Sequence, residues 1–178
     1  MNPHNTQFIR FKKHARQQAG GNPIKESDDK VKKNLELFHK LIEVSRGPNP
    51  DFNKISQYYD KNVLVVTPGG KPVTGYDQHE IGMRQMFQLA PDVRIISVDV
   101  EFGSGDWIAV ATTMVGTSIN GEITVSGQPP MKLTGKPFNM KSALLIRYEN
   151  DKIVEFRSYW NDLEFAKQLG VRECPITG

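Results

Sequence analysis

The sequence predicts an α+β domain: a curved antiparallel sheet with three short N-terminal helices packed on its concave face. Three observations carry this expectation. In the first half, apolar residues recur at helical spacing, at Val31, Leu35, Phe38 and Leu41/Ile42, and again at Ile81, Met83, Phe87 and Leu89. From residue 93 onward the chain changes to long stretches of alternating polarity separated by turn residues. Helices gathered ahead of a run of strands define the α+β class. A chain of 178 residues that is 38% hydrophobic is enough for one domain with a core.

Residues 1–27 are polar, include Gly20-Gly21 and Pro23, and read as a mobile tail. Asp28 or Asp29 caps the first helix, and Gly47, Pro48 and Pro50 end it. A second helix is expected over 51–60, carrying Phe52, Ile55, Tyr58 and Tyr59. A strand follows at 62–66 and breaks at Pro68-Gly69-Gly70. Asp77 and Glu80 have capping-box spacing and open a third helix, closed by Pro91. Strands are expected over 93–102 and 107–118, joined through Gly103-Ser104-Gly105-Asp106. The Gly/Pro-rich stretch 119–137 is long for a hairpin loop, so it either holds a short strand pair or closes over a site. A strand over 138–148 turns at Glu149-Asn150-Asp151-Lys152 into a last strand ending at Trp160. A final helix runs from about Asn161 to Gln168, with Gly170 after it. The domain spans 28–172, and 173–178 form a short C-terminal tail.

Charge is uneven. Residues 1–33 hold eight Lys/Arg and three Asp/Glu, whereas the remainder holds fifteen and seventeen. The body is nearly neutral and the tail basic. A solvated lead-in is the simpler reading of that tail, because no basic stripe interleaved with aromatics supports nucleic-acid binding. No apolar run reaches the roughly 18 residues of a membrane span. The first twenty residues lack the apolar core of a secretory signal, and the single cysteine, Cys174, excludes an intramolecular disulfide. A cytoplasmic location is expected.

The order of elements resembles the nuclear transport factor 2-like cone fold, and within it the SnoaL-like polyketide cyclase family. The matching pieces are Pro68-Gly69-Gly70 with Val73-Thr74-Gly75, Ala90-Pro91-Asp92, Gly105-Asp106, Gln128-Pro129-Pro130, and Lys152-Ile153-Val154-Glu155 leading to Gln168-Leu169-Gly170. Each is a turn, a cap or a helix end; their order and spacing carry the resemblance. It implies a cone-shaped sheet, a pocket, sheet-to-sheet homodimers, and ring closure by an intramolecular aldol reaction without metal or cofactor. The resemblance places an acid/base aspartate on the last strand, and a histidine and a glutamine on the strand before it. Here those positions hold Ser158, Leu144 and Ser142. A serine without a base partner does not take a carbon-bound proton near neutral pH. The pocket is therefore expected to persist without the family's acid/base set.

The inner face of the last strand reads Val154, Phe156, Ser158, Trp160, and that of its neighbour Phe138, Met140, Ser142, Leu144, Ile146. Ser158, Ser142 and Asp162 are the catalytic candidates, although Asn161 or Asp162 is more simply a helix N-cap. Tyr58, Tyr59, His79, Met140, Leu144, Phe156 and Trp160 are the candidate ligand-pocket residues. Tyr58 and Tyr59 are adjacent, so at most one points inward. His79 also reads as a helix-start surface residue, and His39 as half exposed. Arg157, Ile153 and Tyr159 fall on the outer face, where a subunit contact is expected. The histidines at 4, 14, 39 and 79 show no metal-ligand spacing, and Gly69-Gly70-Lys71 is not a phosphate-binding loop. No nucleophile-elbow pattern supports a Ser-His-Asp triad.

Three functions remain open. One is a cofactor-free cyclase, isomerase or dehydratase with relocated catalytic groups. Another is a non-catalytic binder of a small hydrophobic oxygenated molecule. The third is a protein-interaction module using the sheet and the basic tail.

Overall fold

The computed structural model describes residues 23–124 and 130–170. The elements in order are α1 (Pro23–Val44), α2 (Phe52–Ser56), β1 (Tyr59–Val66), β2 (Val73–Thr74), α3 (Tyr76–Leu89), β3 (Arg94–Ser104), β4 (Trp107–Thr117), β5 (Asn120–Ile123), β6 (Met131–Thr134), β7 (Pro137–Glu149), β8 (Lys152–Trp160) and α4 (Asp162–Leu169). Six strands form one curved, open sheet in the order β2-β1-β8-β7-β4-β3, and β5 and β6 form a separate pair. Neighbours are antiparallel except β1 and β8, which run parallel. The α+β class with a curved, antiparallel-rich sheet thus stands, with one parallel junction that the sequence pattern does not carry.

α1 lies across β3 and β4, α3 against β1 and β2, and α4 against β7. Two apolar cores result. One joins Phe38, Leu41 and Ile42 of α1 to Val63, Ile108, Ile146, Tyr148 and Ile153. The other joins Leu89, Val93, Leu133, Phe138, Met140 and Leu169. A fully buried side chain such as Ile146 or Phe38 contributes roughly 1.5–3 kcal/mol of burial.

Several local expectations change. α1 begins at Pro23, six or seven residues early, so Asp28 and Asp29 lie inside the helix; proline is compatible with a first helical turn. α2 stops at Ser56, and Asp51 caps it by accepting from the amides of Asn53 and Lys54. Tyr59 belongs instead to β1, where it pairs with Ile153. The Asp77/Glu80 capping box does not form. The chain enters α3 through Gly75 at φ 104° with no side-chain cap, which leaves Asp77 in the first turn, and Glu80 pairs with Arg84 at 2.6 Å.

The 119–137 stretch contains the β5–β6 pair. Residues 125–129, and with them its role as a lid, lie outside the described residues, as do the tails at 1–22 and 171–178.

β8 departs from simple alternation. Tyr148 pairs with Ile153 and Arg147 with Glu155, so Val154 is the extra residue of a bulge. Parity reverses there, and Ile153 is buried in the first core, not on the outer face. Tyr159, beyond the bulge, is exposed. The preceding turn holds Asn150 and Asp151 at φ 50° and 64°, the two positive values of a type I′ hairpin.

Candidate functional site

Between the two cores the sheet's concave face and α3 enclose a cavity of about 400 Å³, within the range of small-molecule sites. β7 contributes Met140, Ser142 and Leu144, and β8 contributes Phe156, Ser158 and Trp160. These rows alternate with outward residues, and the antiparallel register sets Leu144 opposite Ser158 and Ser142 opposite Trp160. α3 presents His79, Met83 and Met86 one turn apart on a single face. Tyr59 closes the wall from β1.

Of the residues proposed from sequence, Tyr59, His79, Met140, Ser142, Leu144, Phe156, Ser158 and Trp160 line this one space. Tyr58 and Asp162 are not among its lining residues. Tyr58 lies in the turn after α2 and packs half-buried beside the first core. Asp162 is the first residue of α4, whose N-cap is Asn161, accepting from the Glu164 amide at 3.0 Å. Strand parity ends at that cap, so Asp162 does not continue the Ser158–Trp160 row. His39 lies on the α1 surface, 2.7 Å from Glu101.

Sequence parity passed over Thr112, which stands in the β4 row Ile108, Val110, Thr112, Met114. Its hydroxyl lies 2.8 Å from that of Ser142, and both residues are buried. In such a pair one hydroxyl donates to the other, and the acceptor keeps its own hydrogen for a third partner. Ser158 makes only a long contact, 3.5 Å, to the Val66 carbonyl. Thr67 and Gln85 add further polar atoms to the wall.

Among the described residues two buried side-chain nitrogens have no partner, Nε2 of His79 and Nε1 of Trp160. The His79 ring sits among Tyr59, Phe156 and Tyr76, with centroids 5.0, 5.4 and 6.5 Å away. Burial in that aromatic setting pushes its pKa down to about 4. It is therefore a neutral imidazole near pH 7, with one nitrogen able to accept. Among the described residues, no carboxylate and no lysine lines the cavity. The wall thus offers a neutral base, hydroxyl and indole donors, and thioether and aromatic surface. Among the described residues there is no cluster of three or more His, Cys, Asp or Glu suited to a metal ion, and no helix long and apolar enough to cross a membrane.

Solved structures with this architecture define the class. A protein from Jannaschia sp. CCS1 assigned as a SnoaL-like polyketide cyclase superposes with a TM-score of 0.67 at 15% identity, over 81% of this chain and 95% of that one. A polyketide-cyclase assignment from Xanthomonas campestris pv. campestris gives 0.67 at 13%, over 79% and 98%. A phenazine biosynthesis-related protein from Pseudomonas aeruginosa gives 0.63 at 14%, over 86% and 96%. At such identities the likeness concerns the fold, which is nuclear transport factor 2-like. The sequence profile described as SnoaL-like polyketide cyclase matches residues 41–169, well over half of the chain, and the chain belongs to that family. No curated protein matches it.

Proposed function

We propose that the cavity binds a small hydrophobic molecule bearing oxygen atoms, and that the protein is a cofactor-free enzyme of cyclase, isomerase or dehydratase type. Its base is His79. The observation that carries this reading is the buried Nε2 of His79, which has no partner among the described residues, in a cavity that none of their carboxylates lines. Ser158, Leu144 and Ser142 occupy the positions of the family's acid/base set, so that chemistry needs another proton acceptor.

The step is a proton transfer. His79 takes a proton from a carbon next to a carbonyl, the carbonyl becomes an enolate, and the imidazolium later returns the proton to the product. Ser158, the Thr112–Ser142 pair and the Trp160 indole supply donors toward the developing oxyanion. Asp162, set at the start of α4, has no part in this step. The outer sheet face forms a homodimer in this reading.

A second reading has its own support. An imidazole held near pKa 4 is a weak base, which favours a binder that uses His79 only as a hydrogen-bond acceptor. Solvent-deuterium exchange into 2-tetralone, followed by NMR, separates the two. The enzyme reading expects exchange about 100-fold above buffer, lost in His79→Gln while binding persists, and sustained at every pH above about 4. Binding without acceleration in the wild type selects the binder. Loss of 2-tetralone binding on Trp160→Ala but not on Ser158→Ala points the same way.

A further inference from the structure

A second lobe of about 180 Å³ adjoins the cavity, and side chains such as Tyr59, Met83, Met86, Ile95, Met114 and Phe156 line both. Phe38, Leu41 and Ile42 of α1 and Val93 make its wall apolar. Among the described residues its charged lining is two arginines, Arg46 just past α1 and Arg94 at the start of β3, with no acidic side chain. Arg94 donates from Nη1 to the Asp92 carbonyl at 3.0 Å. The Asp92 carboxylate is turned to Thr117, whose amide and hydroxyl lie 2.6 and 3.0 Å away. Among the described residues no carboxylate forms an ion pair with Arg94. Arg46 has an exposed partner one turn back, Glu43 at 3.3 Å.

We infer that the ligand is two-ended. A carboxylate is held by Arg94, with Arg46 beside it, at the rim of the second lobe. The oxygenated hydrophobic body passes the shared methionines into the hydroxyl-lined lobe. The inference rests on the reading of this cavity as the ligand site and adds the acidic end.

The physical case is charge complementarity around an apolar space. Guanidinium groups match a carboxylate in geometry, and both arginines are exposed, so the anion remains partly hydrated and avoids a full desolvation penalty. Thioethers adapt to bodies of different outline, which suits a wall shared by two lobes. The donors of Ser142, Thr112, Ser158 and Trp160 carry no net charge and serve a ketone or alcohol oxygen as well, so telling the two ends of the ligand apart falls to the charged arginines.

The test is calorimetry with two probes of one shape, 6-hydroxy-2-naphthoate and 6-hydroxy-2-naphthamide, on the wild type and the Arg46→Gln/Arg94→Gln variant. The expected result is about five- to tenfold tighter binding of the carboxylate by the wild type at low salt. That preference should vanish in the variant while the amide binds both proteins equally. Equal affinity for the two probes in the wild type, or a preference that survives both substitutions, overturns the inference and leaves the cavity reading intact. Binding of neither probe overturns the cavity reading and this inference with it.

Discussion

His79 is where burial and chemistry meet at the scale of one residue. Burial holds its folded pKa at about 4, below the 6.5 of a free imidazole. As the pH falls the unfolded chain takes up the proton first. The neutral ring's contribution is therefore complete above about 6.5 and is lost between 6.5 and 4, with a ceiling of about 3 kcal/mol. Urea unfolding from pH 7 to 4.5 should show a steeper loss of stability in the wild type than in His79→Gln. Parallel losses would mean that the ring sits in water. The inward row of β8 beyond the bulge could be read by counting in twos, and so could that of β7. Thr112 obeys the same count as the one polar side chain in an apolar row. Its bond to Ser142 could not be read, because it depends on which residue of β7 stands opposite it.

The hairpins show the same contrast between elements. Gly105-Asp106 and Asn150-Asp151 signal turns by residue type, and both carry positive φ, at Gly105, Asn150 and Asp151. Gly103 matters for a different reason. A Cβ there would stand 2.5 Å from the Trp107 carbonyl oxygen and 2.9 Å from Val31, so β3, β4 and α1 approach too closely for any side chain. Gly103→Ala should cost about 1–3 kcal/mol in thermal unfolding. Gly121→Ala, which meets nothing within 4 Å, should stay within about 0.5 kcal/mol. Equal melting temperatures for the two variants would show that the hairpin yields freely. The Val154 bulge, by contrast, was hidden. Nothing in the run from Lys152 to Phe156 marks which residue is extra, because the pairing with β7 decides it.

At the scale of the whole molecule, no element among the described residues covers the outer sheet face. Val100, Phe102, Trp107, Leu145 and Tyr159 are exposed there, Phe102 at 64%. The cross-strand pairs Phe102–Ala109, Ala109–Leu145 and Ala143–Tyr159 make the patch continuous. In the dimer proposed above this face is the contact, with Arg157 tied to Glu155 at 2.5 Å beside it. Sedimentation velocity at micromolar concentration should give a dimer. Phe102→Glu/Leu145→Glu should give a monomer with unchanged circular dichroism. A monomeric wild type removes the proposal.

By itself the sequence determined the α+β class, the order of the helices and long strands, and the inward rows of β7 and of β8 beyond the bulge. These follow from local periodicity and turn chemistry, which act between near neighbours. The tertiary structure decided what depends on distant segments. It set β1 parallel to β8, reversed the parity at Val154, and moved Tyr58 and Asp162 off the cavity wall. It also brought His79 of α3 to the Ser142 and Ser158 rows, and set Arg46 and Arg94, nearly fifty residues apart in sequence, on the wall of one lobe. Pockets arise from how elements close on one another, and that closure is set by long-range packing that no single stretch of sequence encodes.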